Sequence, residues 1–492
     1  MKQLNKFVTF VVIVISNNLF AQTEGSAFTL TGMGVATPFA TDYQALGINP
    51  GNLDLDPKYD KMTTIGFAEF GLSLYSEVLT KPELRQNLFK EDIAKFSLSE
   101  KRDMAVQFAN SDNSFNADIM SIGFSINTER AGTFAFTTRD RANFYSKLGS
   151  KVSEIMWLGY YASYFDSLIV NNGQGGLDTI PNSNNLDPQT QQNIVQGYTS
   201  LENAESLTQL IQGTKFGFSW FREFNLGWGK KILERGDYAL HGGLGLKFIV
   251  GQGMLDITAE NGKAVAFSAM SPLFDIDYGT AAAQNPSAYD STTNKLKPVG
   301  YGYGLDLGTT LVFKKKLTIS VAVNDIGKIN WNGNLYKLND VAVTSFDNAG
   351  LESTSLIDQV SALNGSDGIL SWQGESSRTT QLPTSARIGV GYEVNKMIRG
   401  GIDIVLPISD GVANMQKPVF AVGGEFTPFQ WVHIQAGYTQ GGNYGVKIPV
   451  GIFFTVGQGT YECGIASRDF VTFFRDNKPT ISMATGFLRF RF

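Results

Sequence analysis

Apolar side chains recur at every second position along several stretches in the middle and C-terminal half of the chain. In one of them Leu244, Leu246 and Phe248 alternate with Gly245 and Lys247. Successive side chains of a β-strand point to opposite faces, so a period of two predicts strands rather than helices. The same alternation runs through residues 301–311, 317–324, 387–394 and 445–456.

The two faces of these predicted strands differ in character. One face is apolar, and the other is rich in glycine with scattered charges, as at Gly243, Gly245 and Lys247. Each run has about 8–11 residues, which is close to the length that a tilted strand needs to cross a bilayer. We therefore expect Leu246 to face lipid and Lys247 to face a polar lumen. Unpaired backbone groups are costly in hydrocarbon, so the sheet must close on itself.

Weaker alternation marks further candidate strands, not all of which are expected to span the membrane. Because bacterial barrels have an even number of strands, the pattern predicts an all-β transmembrane antiparallel barrel of about 14 strands, with 12 or 16 as alternatives. The further candidates are residues 62–76, 114–127, 132–143, 155–165, 214–228, 256–268, 335–345, 399–406, 419–426, 431–439, 460–465 and 471–474.

The last predicted strand has the same two faces. Leu488, Phe490 and Phe492 fall on one of them, and Arg489 and Arg491 fall on the other. This arrangement resembles the closing strand of bacterial outer-membrane barrels, in which a terminal Phe with apolar residues at alternate positions is read by the barrel-assembly machinery. The resemblance implies that Leu488, Phe490 and Phe492 form the insertion signal. It also implies that the partners include this machinery and outer-membrane lipid.

The first residues predict export. Lys2 and Lys6 precede an apolar run over residues 7–20, which ends at Ala21. A basic start, a short apolar core and a small residue at the cut are typical of a secretory signal peptide, here residues 1–21. An N-terminal membrane anchor is the alternative, although the run is short for a span of about 20 apolar residues. The predicted location is the cell outer membrane.

Composition agrees with a barrel and excludes two other classes of protein. The chain of 492 residues contains 53 Gly, 36 Phe and 18 Tyr, yet its mean hydropathy is only −0.08. No stretch after Phe20 is apolar over anything near the roughly 18 residues of a transmembrane helix, so a helical membrane protein is excluded. The net charge is −5, and it becomes −7 without residues 1–21, which argues against binding of nucleic acid.

Residues 22–57 follow no strand pattern. They contain Gly32-x-Gly34 and, further on, Asn-Pro-Gly-Asn-Leu at 49–53. This stretch resembles the N-terminal hatch of FadL-type barrels, in which a Gly-x-Gly run precedes a short helix and an Asn-Pro-Ala-x-Leu turn. Gly51 stands here in place of the usual Ala. The resemblance extends to the PorV-type barrels of type IX secretion.

The resemblance implies a plug inside the barrel. Pro50 biases Asn49 towards extended geometry and Gly51 permits a tight reversal, as a turn tucked into a lumen requires. A plain surface turn after a short helix is the alternative. The residues that the resemblance assigns to the hatch are Gly32, Gly34, Asp42, Asn49, Pro50 and Asn52, and those of a possible apolar pocket are Met33, Phe39 and Leu46.

The predicted organisation therefore has three parts. Residues 1–21 are the signal peptide, residues 22–57 the hatch or plug, and residues 58–492 the barrel. Within the barrel, apolar spacing predicts a helical insert at about 79–108. Polar composition predicts long loops at about 166–213 and 346–380.

Candidate chemistry is sparse. His241 and His433 are far apart in the sequence, and both fall on the predicted lumen face, where a hydrogen-bonded polar side chain is the simpler interpretation. No serine motif accompanies them, and two histidines without a nearby cysteine do not make a zinc site. The sequence predicts no catalytic residue, no metal and no cofactor.

Three functions remain open. By resemblance to FadL-type barrels, the protein passes a hydrophobic small molecule across the outer membrane. By resemblance to PorV-type barrels, it is a non-conducting scaffold that docks surface or secreted proteins, as in type IX secretion. A lipid-modifying barrel enzyme is a remote third alternative, and the main prediction is that the protein is no enzyme.

Overall fold

The computed structural model describes residues 27–55, 61–83, 96–128, 130–183, 186–289, 295–352, 369–409, 417–442 and 445–492. The predicted signal peptide at residues 1–21 lies outside these ranges, as do the first and last residues of the predicted hatch.

Fourteen antiparallel strands of the described residues close into a barrel. Each strand pairs with its neighbours in the chain. The last strand pairs with the first, so that Thr64 lies opposite Arg491 and Tyr75 opposite Thr480. The predicted fold class and strand number are confirmed. In chain order the strands are β1 (Thr63–Ser76), β2 (Asn113–Thr128), β3 (Gly132–Lys147), β4 (Lys215–Arg235), β5 (Tyr238–Glu260), β6 (Gly300–Phe313), β7 (Leu317–Trp331), β8 (Ser385–Asn395), β9 (Ile398–Pro407), β10 (Val419–Phe429), β11 (Val432–Gly441), β12 (Val450–Val456), β13 (Tyr461–Ser467) and β14 (Thr480–Arg491).

The period of two decides which side chains face outwards. On β5, Leu246 is 54% exposed whereas Lys247 is only 3% exposed. Phe248 on the same strand and Tyr303 on β6 are also exposed. The predicted orientation of β5 is therefore confirmed, and the wall presents the apolar outer face that a bilayer requires.

The two ends of the barrel carry different connections. Short turns join the strands at one end, for example at Gly236 between β4 and β5. Lys314 and Lys315 have φ of +51° and +53° in the three-residue turn that joins Phe313 of β6 to Leu317 of β7, and such tight hairpin turns commonly need residues with positive φ. Long connections occupy the opposite end. Short turns of outer-membrane barrels face the periplasm and long loops face the exterior, and we name the two ends accordingly.

A small folded structure, which we call the cap, covers part of the exterior end. Its helices are α1 (Leu98–Phe108) and α2 (Ser150–Leu158), which pack together through Phe108 and Trp157 with ring centroids 5.0 Å apart. Buried apolar side chains of the barrel, including Phe144 and Phe216, belong to the same core. The cap also contains a four-stranded sheet formed by Ser167–Asn171, Leu177–Pro181, Ile194–Tyr198 and Ser345–Phe346.

Several predicted elements differ from the structure. The candidate strand at 155–165 is wrong, because most of it belongs to α2 and the 3-10 turn Gly159–Tyr161. The candidate strand at 471–474 is a 3-10 helix, Phe470–Phe473. The predicted loop at 166–213 contains three strands of the cap sheet. The run at 445–456 is broken before Val450, because Pro449 has no N–H to donate to a ladder.

Candidate functional site in the barrel lumen

Residues 27–55, which we call the lumenal segment, lie inside the barrel. They form a helix at Phe28–Thr31 and 3-10 turns at Asp42–Ala45 and Pro50–Asn52. None of these residues is exposed, and Met33 and Tyr43 are completely buried. The part of the chain that resembles a hatch therefore fills the lumen.

Glycine on the inner wall lets the lumenal segment approach the strands closely. A Cβ on Gly243 of β5 would overlap the carbonyl oxygen of Pro50. A Cβ on Gly437 of β11 would overlap the carbonyl oxygen of Met33 in the same way. The glycine-rich face seen in the sequence is thus the surface against which the segment packs.

Asn49 and Asn52 fasten the second turn of the segment. Asn49 has φ −154° and ψ 97°, so its predicted extended geometry is confirmed. Its Oδ1 accepts from the N–H of Gly51 at 3.0 Å, and its Nδ2 donates to Oγ1 of Thr310 on β6 at 2.8 Å. The Oγ1 of Thr310 also hydrogen-bonds Oδ1 of Asn52. Pro50 follows Asn49 as the first residue of the turn, where its missing N–H costs nothing.

The glycines of the segment serve two purposes. Gly34 has φ +73°, which a larger side chain would rarely adopt. Gly32 and Gly51 do not have positive φ. A Cβ on Gly32 would overlap the backbone nitrogen of Gly451, and one on Gly51 would lie 2.8 Å from the backbone of Thr309. Gly51 therefore serves close approach to the wall rather than the tight reversal expected from the sequence.

Asp42 joins the lumenal segment to the terminal strand. Its Oδ2 lies 2.5 Å from a guanidinium nitrogen of Arg489 and 3.7 Å from one of Arg491, both on β14. Glu462 on β13 pairs with the same two arginines at 2.9 Å and 2.6 Å. Arg489 also lies over the ring of Tyr43, 5.3 Å from its centroid. The charged inner face of the last strand is thus the partner of the segment.

The neighbouring residues continue this contact to β1. The hydroxyl of Tyr43 donates to Glu69 at 2.5 Å, and Nε2 of Gln44 donates to the same carboxylate at 2.9 Å. Glu69 is 1% exposed. Because β1 and β14 form the closing pair of the barrel, the segment contacts both strands of that pair from inside.

A larger ionic network lies on the inner face of β3 to β7. The Nζ of Lys247 is 3.0 Å from Asp306 and 2.5 Å from Asp325. Arg141 pairs with Glu223 at 3.1 Å and with Asp325 at 3.4 Å. Each of these five side chains is at most 10% exposed. Two cations therefore hold three buried carboxylates, an arrangement that is stable only while every member keeps its partners.

Two strand irregularities aim acidic side chains into the lumen. Ala68 has φ +51° and no partner in the register of β1 with β2, so Glu69 returns to the inner face. Asp325 has φ +59° and follows Asn324, and both side chains are buried. The N–H of Asp325 donates to Asp306 at 2.8 Å. Such bulges re-aim side chains that simple alternation would send outwards.

A third polar group holds the first helix of the segment. Nε2 of Gln435 donates to the carbonyl oxygen of Thr29 at 2.6 Å and to Glu425 at 2.9 Å. Glu425 also pairs with Arg399 at 2.8 Å, and Nδ1 of His433 lies 3.3 Å from it. The predicted position of His433 on the lumen face is confirmed, and the ring is a member of a hydrogen-bonded group.

A cavity of about 1150 Å³ lies at the periplasmic end and reaches the lumenal segment. Turn residues such as Lys314 and Met397 form its outer part, whereas Leu30 and Phe39 form its inner end. Its described lining contains eight basic and six acidic side chains, together with aromatic rings such as Phe453. The lining is therefore mixed, with a small excess of positive charge.

A second pocket, of about 80 Å³, lies on the other side of the first helix. It is lined by Ala27, Thr31 and Gly34 of the segment, and by wall residues that include Arg387 and Lys447. Leu30 lines both the pocket and the larger cavity, so this one helix separates them.

The three side chains assigned to a possible apolar pocket lie in different surroundings. Phe39 lines the large cavity, with Arg399 over its ring at 5.0 Å. Met33 packs against wall glycines such as Gly437, and Leu46 fills the space beside Gly227. All three are buried, but only Phe39 borders one of the two cavities described.

The predicted insertion signal lies on the outer face of β14. Leu488 is 48% and Phe492 62% exposed, and Phe490 is partly exposed. The carbonyl oxygen of Phe492 accepts from the N–H groups of Met62 and Thr63, so the chain end is bound to β1. The three side chains share a face as predicted, and their recognition by assembly machinery stays a prediction.

Among the described residues there is neither a metal-ligand cluster nor a helix able to span a membrane. Within the described ranges, no group of three or more His, Cys, Asp or Glu is arranged to hold a metal ion. The described helices are all too short or too polar to cross a bilayer.

Sequence reasoning missed Leu30, Glu69 and Glu425. Glu425 sits beside the outward-facing Phe426, so alternation along β10 could have placed it in the lumen. For Glu69 the same reasoning gives the wrong face, because simple alternation does not account for the bulge at Ala68. Nothing in the sequence singles out Leu30 as a partition.

A closed wall of fourteen strands, an apolar outer face and a lumen filled by the N-terminal residues define the class of this protein. It is an outer-membrane β-barrel, and the predicted resemblance to FadL-type barrels is confirmed at the level of the fold. The chain belongs to the family described as "Family of unknown function (DUF5723)", whose model matches residues 189–457, more than half of its length.

Three solved structures of similar shape are distant in sequence from this chain. The Pseudomonas putida toluene transporter TodX is 11% identical, with 96% of this chain and 99% of that chain covered and a TM-score of 0.42. The Ralstonia pickettii toluene transporter TbuX is 12% identical, with 96% and 99% covered and a TM-score of 0.40. A Pseudomonas aeruginosa FadL homologue is 10% identical, with 96% and 97% covered and a TM-score of 0.36.

No curated protein matches this chain. At such low identities and TM-scores, the solved structures say nothing about what the protein carries or binds. The barrel itself follows from the strand pairing described above.

Proposed function

We propose that the protein passes a small amphipathic molecule across the outer membrane through its lumen, with the lumenal segment as the hatch. The observation that carries this proposal is the position of Leu30, which borders a cavity on each side. A modest displacement of the helix Phe28–Thr31 would join the two spaces.

The route would follow the side of the barrel formed by β8 to β14. The second pocket borders Val419 and Gly441, at the exterior ends of β10 and β11. From there it reaches Leu30, and beyond Leu30 the large cavity continues to the periplasmic turns. The opposite side of the lumen is occupied by the network around Lys247 and, further out, by the core of the cap.

The moving part would be the first helix rather than the whole segment. Residues further along are fastened by charged and amide side chains of the wall. Asp403 accepts from the N–H groups of Ala36 and Thr37 at 2.9 Å and 2.8 Å, and Thr310 holds Asn49 at 2.8 Å. The first helix is held to the wall by Gln435, a neutral amide, which donates to the carbonyl oxygen of Thr29.

The lining of the cavity favours an amphipathic cargo over a purely hydrophobic one. Phe39, Phe453 and Tyr238 offer apolar and aromatic surface, while Arg399 and Lys396 offer positive charge. Ligand sites commonly combine an apolar lining with a few polar groups that orient the ligand.

The experiment is solute entry into proteoliposomes that contain the wild type, Leu30→Ala or Leu226→Ala. Leu226 is exposed on the outer face and provides the matched control. We expect Leu30→Ala to speed the entry of small amphipathic dyes, because it thins the partition, and Leu226→Ala to leave entry unchanged. Equal entry through Leu30→Ala and its control would overturn the proposal.

A scaffold for surface or secreted proteins is the second candidate, and the cap favours it. The cap has its own apolar core and a sheet, and it also carries exposed apolar side chains such as Leu201. A photo-crosslinking residue at Leu201 would capture a stoichiometric protein partner if this role is correct. The same residue at Lys315, on a periplasmic turn, is the control.

A further inference from the structure

Three phenylalanines stand exposed on the loop between β13 and β14. Phe470 is 42%, Phe473 66% and Phe474 77% exposed. Their rings form a cluster, with centroids 5.9 Å apart for Phe470 and Phe473 and 5.2 Å apart for Phe470 and Phe474. Single exposed apolar residues are ordinary, whereas a contiguous apolar patch commonly marks a site of contact with a protein, a ligand or a membrane. We call residues 468–478 the aromatic loop.

The aromatic loop is held in place by polar contacts. Asp469 accepts from the N–H of Val471 at 3.2 Å and from Oγ1 of Thr472 at 2.8 Å. Thr472 in turn accepts from the N–H of Thr480 at 3.0 Å, and Nζ of Lys81 donates to its carbonyl oxygen at 3.1 Å. The rings are therefore presented by an ordered turn, so their ordering needs little further loss of entropy.

The geometry of the turn points the rings away from the lumen. Asp469 is extended, with φ −144° and ψ 100°, and its carboxylate lies 3.8 Å from Nζ of the buried Lys447. In extended backbone the next side chain points to the opposite face, so Phe470 points outwards. Residues three apart align in a 3-10 helix, which places Phe473 on the same side. The loop thus continues the outer face that Ile465 presents on β13.

Basic side chains accompany the rings. Arg475 is exposed on the same loop. Lys478 is exposed too and pairs with Glu77 at 2.8 Å, and Lys81 pairs with Asp476 at 3.2 Å. The loop joins the exterior ends of β13 and β14, and we infer from this position that it lies near the headgroups of the outer leaflet. Aromatic rings favour that interface, and basic side chains attract anionic lipid there.

We propose that the aromatic loop anchors this side of the barrel in the outer leaflet, with its three rings among the acyl chains and its basic side chains on phosphate-bearing headgroups. The inference does not depend on the transport proposed above. It commits to a phosphorylated lipid as the occupant, because the patch is continuous with the lipid-facing wall and the exposed Arg475 carries the complementary charge.

The single native cysteine makes the test direct. In a Cys463→Ala background, single cysteines are introduced by Phe474→Cys, Leu246→Cys and Gln174→Cys, and each is labelled with an environment-sensitive dye in nanodiscs. Leu246 calibrates the lipid environment, and Gln174, on an exposed loop of the cap, calibrates water. We expect the dye at 474 to emit near the wavelength seen at 246 and to be quenched by spin-labelled lipid.

Emission at 474 that matches the dye at 174 would overturn the proposal. A lipid-like emission that appears only at high protein density would also overturn it, since a second copy of the chain would then be the occupant.

A second experiment tests the contact with the headgroups. It compares Arg475→Gln with Lys315→Gln by native mass spectrometry of bound lipid. At least a twofold loss of phosphorylated lipid is expected for Arg475→Gln alone, and equal retention in both variants would contradict this part.

Discussion

Arg489 on the last strand and Asp42 in the lumenal segment form a buried ion pair at 2.5 Å, across 447 positions of sequence. Arg489 can occupy this position only when β14 has paired with β1 and the barrel is closed. Docking of the segment and closure of the barrel therefore stabilise each other.

Asp42→Asn should destabilise the folded barrel. The substitution leaves Arg489 and Arg491 with Glu462 as their remaining close acidic partner, and breaking a buried ion pair from one side typically costs about 3–5 kcal/mol. The free energy of unfolding, measured by urea titration in phospholipid vesicles, reports the loss. The control is Asp237→Asn in the exposed pair with Lys314, which should cost less than about 1 kcal/mol. Equal losses would contradict the role assigned to Asp42.

Leu246→Arg should cost about 2–4 kcal/mol if it lies near the membrane midplane, because it places a charge on the lipid-facing wall. The matched control is Thr318→Arg, which introduces the same side chain on the inner face beside the large cavity. The loss of stability in each of the two variants is measured by its surface level and by its temperature of unfolding in outer-membrane fractions. A larger loss for Thr318→Arg would mean that the two faces are assigned the wrong way round.

Lys247→Leu should also destabilise the folded barrel. The substitution leaves Asp306, Asp325 and Glu223 with Arg141 as their nearby cation, so a loss of about 3–5 kcal/mol is expected. Adding Asp306→Asn removes one of the stranded carboxylates and should restore part of the loss in the same urea titration. A double variant no more stable than Lys247→Leu would argue against the network.

Gly437→Ala should weaken docking of the lumenal segment. Its new methyl group would overlap the carbonyl oxygen of Met33, and such overpacking costs about 1–3 kcal/mol. Gly424→Ala, whose Cβ would come no closer than 3.2 Å to another residue, is the control. Limited proteolysis of the segment distinguishes them, since only Gly437→Ala should expose it. The same cleavage rate in both variants would speak against close packing at Gly437.

Alternation in the sequence was sufficient to predict the barrel, its strand number and the faces of β5. It succeeded because a bilayer outside and a polar lumen inside impose a period of two on every spanning strand. It failed at residues 155–165, where an aromatic-rich run is buried on most sides within the cap. Such a run carries no period that separates a helix from a strand.

The polar contacts of the lumen could be predicted only in part. The sequence placed Arg489 and Lys247 inside, but their partners depend on strand register and on bulges such as those at Ala68 and Asp325. The Asn49 turn was recognised by resemblance, whereas its partner Thr310 became visible only in the fold. The position of Leu30 between the two cavities depends on packing, and no pattern in the sequence predicts it.

The position of the lumenal segment inside the barrel is tested most directly by a disulfide between Asn52→Cys and Thr310→Cys in the Cys463→Ala background. The native side chains at 52 and 310 are hydrogen-bonded, so the two sulfurs should meet. After oxidation in membranes and denaturation, neither cysteine should react with a maleimide polymer, and both should react once reduced. The control, Asn52→Cys with Leu246→Cys on the outer face, should keep both thiols reactive. Two reactive thiols in the 52–310 pair after oxidation would contradict a segment packed within the lumen.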